Sequence, residues 1–132
     1  MQDRSTFICT AVLVAASGLS ACASTDYHYS QLSGERYFRV PIDTYPVAIV
    51  RVDGKDNTFR PALVDPGLRQ VTVQGPPGGA GGIGEERTFA LEVASCTHYY
   101  LVAVKPNRLN SDFTVRIDHQ EPVSGCTPAR SS

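Results

Sequence analysis

The sequence predicts an all-β domain. From Pro46 onward, hydrophobic and polar residues alternate with a period of two, and turn dipeptides interrupt the alternation. Beyond residue 21, no segment of about ten residues carries the i, i+3, i+4, i+7 spacing of an amphipathic helix. With 132 residues, of which 42% are hydrophobic, the chain is long enough for one core and too short for a two-domain enzyme. We therefore expect a small antiparallel two-layer β-sandwich over 37–128, immunoglobulin-like or prealbumin-like in arrangement.

Six strands are predicted, at Pro46–Val52, Thr58–Val64, Leu68–Gln74, Arg87–Ala94, His98–Lys105 and Asp112–Gln120. The Asp53-Gly54 dipeptide after the first strand favours a type I′ hairpin turn, which requires positive φ at both residues. Pro61 in the second strand has no N–H to donate, so this strand belongs at a sheet edge. The Asp65-Pro66-Gly67 segment has the residue types of a type II turn and leads into the third strand.

The last two predicted strands differ in the faces that they can bury. His98–Lys105 is apolar on both faces, which predicts a central strand or one that lies against a partner. In Asp112–Gln120, strict alternation places Ile117 and His119 on one face and Asp118 on the other. On this reading Asp118 and His119 do not form a catalytic pair.

The N-terminus has the organisation of a secretory signal peptide. Residues 7–19 are uncharged, but a helix that spans the ~30 Å hydrocarbon core of a membrane needs about 20 apolar residues. The stretch has the length of a signal-peptide hydrophobic region, preceded by a short segment in which Asp3 offsets the only basic residue, Arg4. We therefore expect 1–21 to be a helical signal peptide rather than a transmembrane anchor.

The next residues predict lipidation. Leu19-Ser20-Ala21-Cys22 resembles the lipobox of bacterial lipoproteins. The resemblance implies cleavage between Ala21 and Cys22, a diacylglyceryl group on the Cys22 thiol and acylation of the new amino group. One acyl chain binds membranes only marginally, at ~0.8 kcal/mol per buried CH₂, so several chains are needed for a stable anchor. The alternative is that Cys22 is an ordinary small hydrophobic residue in an uncleaved leader.

The residues around the lipidated cysteine also predict where the domain is held. Ala23 and Ser24 stand where Asp would favour the inner membrane, so the resemblance implies the outer membrane, on its periplasmic side. Residues 22–36 are polar and lack helical periodicity, which predicts a flexible tether. His28 lies between two tyrosines, and this cluster can stack on a sugar or lie at the lipid headgroup interface. The simpler interpretation, which we favour, is that it is part of the solvated tether. The last residues, 129–132, are expected to be a disordered tail.

Cysteine usage fits an exported domain. Cys9 lies in the discarded peptide, whereas Cys96 falls between two predicted strands and Cys126 just beyond the last one. Because export leads to an oxidising compartment, we predict a Cys96–Cys126 disulfide. Two free thiols or half of a metal site are the alternatives.

Parts of the chain resemble the PEGA-type β-sandwich repeat and related small lipoprotein domains. The segments that carry the resemblance are Ala48–Lys55, Asp65–Val73, Thr88–Val93 and His98–Val104. The chain departs from that pattern at Arg69, where His is common, and at Ser95–Thr97, where Ala-Gly-Lys is common. The resemblance implies a fold but no shared active site.

A glycine-rich segment, 75–84, contains a literal G-x-G-x-x-G at Gly79, Gly81 and Gly84. A nucleotide site requires a strand before this motif and a helix after it, whereas a strand is predicted to follow it here. We therefore expect no nucleotide and interpret the segment as a flexible loop that can contact a partner surface. With no C-x-x-C and no H-x-x-x-H motif, we also expect no metal and no cofactor.

The sequence lacks the signatures of an enzyme. It has no G-x-S-x-G motif, and its paired carboxylates, Glu85 and Glu86, lie in the predicted loop. The formal net charge of −1 argues against nucleic acid, which requires a basic patch. Of Tyr99 and Tyr100, one must face the core and the other the opposite side of the sheet. If that side is open to solvent, its tyrosine can contact a partner, and if it is covered, which we favour, both tyrosines belong to the core.

These observations predict a lipid-anchored periplasmic lipoprotein without catalytic activity. Its expected role is to bind or scaffold an envelope protein or a cell-wall component, through the edge near Pro61 or through the glycine-rich loop. One alternative is an inhibitor of a periplasmic hydrolase, with a loop in the cleft of that enzyme. The other is a small hydrolase, which a convergence of His and carboxylate groups would favour.

Overall fold

A computed structural model describes residues 27–35, 42–78 and 81–128. In chain order, its strands are β1 (Ser30–Ser33), β2 (Thr44–Pro46), β3 (Ala48–Val52), β4 (Lys55–Asp56), β5 (Ala62–Val64), β6 (Gly67–Gln74), β7 (Glu86–Val93), β8 (Thr97–Val104) and β9 (Thr114–Pro122). The described residues contain no helix and form two packed sheets, which confirms the prediction of an all-β sandwich. The predicted signal peptide, Ala21, Cys22 and the tail 129–132 lie outside the described residues.

The first sheet is built around β8. β9 pairs antiparallel with one edge of β8 over its whole length. On the other edge, β1 pairs in parallel with the first half of β8 and β2 pairs antiparallel with the second half. β5 pairs with β1 at the outside of the sheet. The predicted central position of the His98–Lys105 strand is confirmed.

The second sheet is a more local arrangement, in the antiparallel order β4-β3-β6-β7. Asp53 and Gly54, with φ of 50° and 76°, turn the chain between β3 and β4, as a type I′ turn requires. β6 begins at Gly67, whose φ of 113° is compatible with the predicted type II turn. The predicted boundaries of β6 and β7 agree with the structure to within one residue.

The core lies between the sheets. Its completely buried members come from both sheets: Leu32, Leu101 and Ala103 from the first and Val71 and Val73 from the second. The residues that alternate with these core residues along each strand point outward, as the pleat of a strand requires.

The predicted tether is wrong over its last part, because β1 lies within 22–36. Ser30 and Leu32 are both 0% exposed. Ser30 Oγ donates to the Ala94 carbonyl at 2.5 Å and accepts the Thr97 N–H at 3.1 Å. The segment is polar in composition, but insertion between two other strands buries its one large apolar side chain. The described part of the folded domain therefore starts at Tyr27, inside the predicted tether.

The predicted return strand Thr58–Val64 is also wrong as a single element. β4 ends at Asp56, and the chain then crosses to the first sheet, where β5 begins after Pro61. At the crossing, Asn57 Nδ2 donates to the Ile49 and Phe59 carbonyls at 3.1 and 2.9 Å. The edge position predicted from Pro61 is confirmed for β5, which pairs with β1 alone among the described strands.

A β-bulge in β9 changes the faces predicted for its end. Leu101 pairs with Ile117 and Tyr100 with His119, so that Asp118 is the extra residue. Residues paired across an antiparallel ladder share a face, so His119 lies on the outer face with Tyr100. The prediction that His119 shares the face of Ile117 is therefore wrong.

The predicted disulfide between Cys96 and Cys126 is present, with its Cα atoms 5.5 Å apart. It joins the turn between β7 and β8 to the segment that follows β9. The same segment holds the start of the domain, because the Thr127 N–H donates to the Tyr27 carbonyl at 2.8 Å. The disulfide therefore supports the entry into β1. No helix in the described part of the chain is long and apolar enough to cross a bilayer.

Candidate binding face

The outer face of the first sheet carries a cluster of aromatic and hydrogen-bonding side chains. We call this surface the aromatic face and define it by Tyr27, Tyr29, Gln31, Ser33, His98, Tyr100, His119 and Glu121. Strand register brings these residues together, since Gln31 pairs with His98 across β1 and β8. His98 in turn pairs with Glu121 across β8 and β9. β1 and the two consecutive strands β8 and β9, far from it in sequence, therefore build one surface.

The rings of the aromatic face contact one another. His98 stacks on Tyr100 with centroids 4.2 Å apart and an interplanar angle of 25°. His119 lies 6.0 Å from Tyr100 on the far side. Tyr27 and Tyr29 meet edge to face at 6.0 Å, a favourable geometry for aromatic quadrupoles. Each ring is held by a neighbour, which limits its conformational freedom.

Hydrogen bonds connect the polar groups between these rings. Ser33 Oγ and His98 Nε2 are 2.7 Å apart, and the Tyr100 hydroxyl donates to Glu121 Oε1 at 2.8 Å. His98 Nδ1 lies 3.8 Å from the same carboxylate oxygen. Gln31 Nε2 donates to the Tyr27 hydroxyl at 2.8 Å. The face therefore presents donors and acceptors in fixed positions.

The electrostatics of the face centre on His98. Its side chain is only 14% exposed, and burial lowers its pKa from the ordinary value of 6.5, while the nearby Glu121 carboxylate opposes this effect. His98 is therefore neutral at pH 7. If Ser33 donates to Nε2, the ring proton is on Nδ1 and points toward Glu121.

The structure separates the two tyrosines that the sequence proposed for partner binding. Tyr99 is 4% exposed, and its hydroxyl accepts the Ala94 N–H at 2.9 Å, so it belongs to the core rather than to a contact surface. Tyr100 lies on the aromatic face, as one of the two predicted orientations requires.

The glycine-rich loop is followed by a strand, as predicted, and not by the helix that a nucleotide-binding motif requires. Gly79 lies outside the described residues, and β7 rather than a helix follows Gly84. Gly81 has a φ of 79°, which favours glycine. A Cβ at Gly84 would overlap the carbonyl of Gly75, so close packing requires glycine at this position. Gly81 and Gly84 are thus explained by local structure.

A cleft of about 550 Å³ lies beside the aromatic face, and Ser33 belongs to both. It is lined mainly by apolar side chains, among them Leu32, Ile49 and Phe59, and Phe59 is 65% exposed. The charged residues on its wall are Glu35 and Arg60. The cleft offers volume but few converging polar groups.

Within the described residues, no group of three or more His, Cys, Asp or Glu side chains is placed to hold a metal ion.

The comparisons with known proteins add no identification, because no protein-family model, no curated protein and no solved structure matches the chain. The lipobox and the PEGA-like segments therefore remain predictions from the sequence.

Sequence reasoning missed most of the aromatic face. The sequence alone does not predict a functional role for Ser33, Gln31 or Glu121, because it predicts a tether where β1 lies and contains no local signal for the bulge of β9. One signal was present: Tyr27, Tyr29, Gln31 and Ser33 alternate along the chain with Leu32 and other inward residues.

Proposed function

We propose that the protein is a lipoprotein, anchored through Cys22 at the periplasmic side of the outer membrane, whose domain binds a cell-wall glycan. The observation that carries the proposal is the aromatic face. Sugars present apolar C–H faces that pack on aromatic rings and hydroxyls that need fixed hydrogen-bond partners. A face with both kinds of group supports a glycan better than an apolar peptide.

The polar groups of the aromatic face match this ligand in chemistry. Glu121 accepts hydrogen bonds, Gln31 and Ser33 both donate and accept, and His119 is 30% exposed in its side chain. The eight residues that define the aromatic face include no lysine or arginine, so their polar groups suit a neutral polymer rather than a polyanion. The formal net charge of −1 also disfavours a polyanion.

The short distance between anchor and domain supports the same role. The stretch from Cys22 to Tyr27 is five residues long, so even fully extended it spans at most about 18 Å. Tyr27 is both the first described residue and a member of the aromatic face. A lipid on Cys22 would therefore hold this face close to the membrane, where the cell wall and the outer membrane meet.

Co-sedimentation with purified cell-wall sacculi tests the proposal. We expect the full chain to sediment with sacculi, and Tyr100→Ala and His119→Ala to reduce the bound fraction about tenfold, since each removes a contact worth roughly 1 to 1.5 kcal/mol. Phe59→Ala is the matched control, because it removes an exposed aromatic ring from the cleft instead. If the face variants bind like the unmodified protein, or if Phe59→Ala alone weakens binding, glycan binding by this face is wrong.

The anchor is tested separately. Cys22→Ser is expected to release the protein from membranes into the soluble periplasmic fraction while leaving sedimentation with sacculi unchanged. Retention of the Cys22→Ser protein in the membrane fraction would contradict the lipid anchor.

A further inference from the structure

The aromatic face carries three side chains whose arrangement suits catalysis as well as binding: Ser33, His98 and Glu121. We propose that Ser33 is an activated nucleophile that cleaves short-chain acyl esters, with His98 as its general base and Glu121 as the group that orients His98. The sequence had led us to expect no enzymatic activity. The arrangement is visible only in the fold, since the three residues lie on β1, β8 and β9.

The first step of the argument is the contact between nucleophile and base. Ser33 Oγ lies 2.7 Å from His98 Nε2, within the range of about 2.6 to 3.2 Å expected of such a pair. Ser33 is partly exposed, so a substrate carbonyl can reach its hydroxyl. Strand pairing fixes the contact, because Gln31 lies opposite His98 and places Ser33 on the same face.

The second step is the orientation of the base. His98 Nδ1 is 3.8 Å from Glu121 Oε1, a longer separation than a hydrogen bond, and such contacts are often long before substrate binds. Tyr100 holds both partners: its ring stacks on His98, and its hydroxyl donates to the same Glu121 oxygen at 2.8 Å. The imidazole is thus constrained at its face by Tyr100 and at Nε2 by Ser33, with the Glu121 carboxylate near Nδ1.

The third step is the protonation state. Burial lowers the pKa of His98, so the imidazole is neutral and can accept a proton at pH 7. The titratable groups that face it are Glu121 and His119 from β9 and Tyr100 from its own strand, while β1 contributes only neutral Gln31 and Ser33. Of these, Glu121 is the one whose charge raises the pKa of His98.

The reaction needs no cofactor. The proton of Ser33 Oγ passes to His98 Nε2 as Oγ bonds to the acyl carbon, and the resulting tetrahedral intermediate expels the alcohol, which takes the proton from Nε2. Water, deprotonated by His98, then attacks the acyl carbon, and His98 returns the proton to Ser33 Oγ as the bond between Oγ and the acyl carbon breaks and the acid is released. Gln31, two residues before Ser33 on the same face, donates one amide hydrogen to the Tyr27 hydroxyl, and we assign its second amide hydrogen to the developing oxyanion.

The surface beside Ser33 defines the substrate class. Ser33 lies on the wall of the cleft of about 550 Å³, which is lined mainly by apolar side chains and has room for a short acyl group. Acyl esters on sugar hydroxyls belong to this class, and this part of the inference rests on the proposed glycan binding. The nucleophile itself does not depend on the glycan or on the lipid anchor.

A fluorophosphonate probe on the purified full chain tests the nucleophile directly. Ser33 Oγ is expected to bond to phosphorus with loss of fluoride, its proton passing to His98, and peptide mass spectrometry locates the label. His98→Asn should slow labelling by about 100-fold or more, because general-base catalysis contributes about 10²- to 10⁴-fold. Ser111→Ala is the matched control, since the Ser111 hydroxyl donates to the Glu85 carboxylate at 2.8 Å instead.

Hydrolysis of p-nitrophenyl acetate is the second readout, expected to fall by a similar factor in Ser33→Ala and to be unchanged in Ser111→Ala. Glu121→Gln should move the pH profile of labelling to lower pH, an effect that a purely structural role would not produce. An intact disulfide and an unchanged unfolding midpoint show that each variant is folded. The proposal is overturned if Ser33 stays unlabelled in the folded protein or if folded His98→Asn is labelled at the same rate. Sacculus binding reports on the glycan proposal alone, so the two failures are distinguishable.

Discussion

The two sheets of the sandwich share one core but stabilise their outer faces in different ways. On the second sheet, exposed ion pairs such as Arg51 with Glu86 and a Thr72–Thr88 hydroxyl contact at 2.7 Å cover the strands. On the first sheet, a partly buried network of rings and hydrogen bonds around His98 covers the strands instead. Converging, desolvated groups are typical of functional sites, whereas solvated ion pairs are typical of a surface that only needs to remain soluble.

The sheets also differ in how their strands are connected. β6 and β7 are joined through one loop and pair with each other, but β1 must find β8 across more than half of the chain. Closing such long loops costs conformational entropy, which grows slowly with loop length. The first sheet should therefore depend more on added cross-links than the second, and the following predictions test that difference.

Removal of the disulfide is expected to have the largest effect. The bridge closes a loop of 30 residues, for which the chain-entropy relation gives roughly 3 to 4 kcal/mol. The Cys96→Ala, Cys126→Ala double variant should lower the free energy of unfolding in urea by this amount. Hydrogen exchange should show that the amides of β1 lose protection more than those of β6. Equal loss of protection in both strands would contradict the dependence of the first sheet on the bridge.

Truncation of a core leucine in β1 is expected to come second. Leu32 is 0% exposed, and Leu→Ala changes in cores cost roughly 2 to 5 kcal/mol, so we expect about 3 kcal/mol. Leu91→Ala in β7 is the matched change in the second sheet, and at 8% exposure it should cost less. Denaturant unfolding of both variants measures the difference. If β1 were a solvated tether, Leu32→Ala would have almost no effect.

The same residue explains what the sequence could and could not predict. In the second sheet, β6 and β7 follow long runs of alternation and pair with each other across one loop, so the local pattern is sufficient to predict them. β1 has four residues with one large apolar side chain, and its burial is decided by β5 and β8, which no local window contains. The bulge at Asp118 likewise depends on pairing with β8, and it places His119 on the aromatic face. The candidate site was missed because it is made of contacts between strands that are distant in the chain.

Loss of an ion pair on the second sheet is expected to have a small effect. Arg51 pairs with Glu86 across the outer face, and its side chain is 36% exposed. Exposed pairs contribute about 0.2 to 1 kcal/mol, so Arg51→Ala should lower the unfolding free energy by no more than that and leave sacculus binding unchanged. Raising the salt concentration should shrink the difference further. A loss above about 2 kcal/mol would show that this face is not merely solvated.

The smallest effect should be a pH dependence of stability that comes from His98, because burial and Glu121 act in opposite directions on its pKa. Its pKa in the folded protein lies below the value of 6.5 that it has when unfolded, so the unfolded chain binds the proton more readily. The contribution to stability is therefore complete above pH 6.5 and decreases as the pH falls through the lower, folded pKa. Urea unfolding between about pH 7.5 and pH 5 measures this decrease, and His98→Asn should make the curve flatter. A steeper curve in His98→Asn would mean that His98 is stabilised in its charged form, which would remove the general base from the aromatic face.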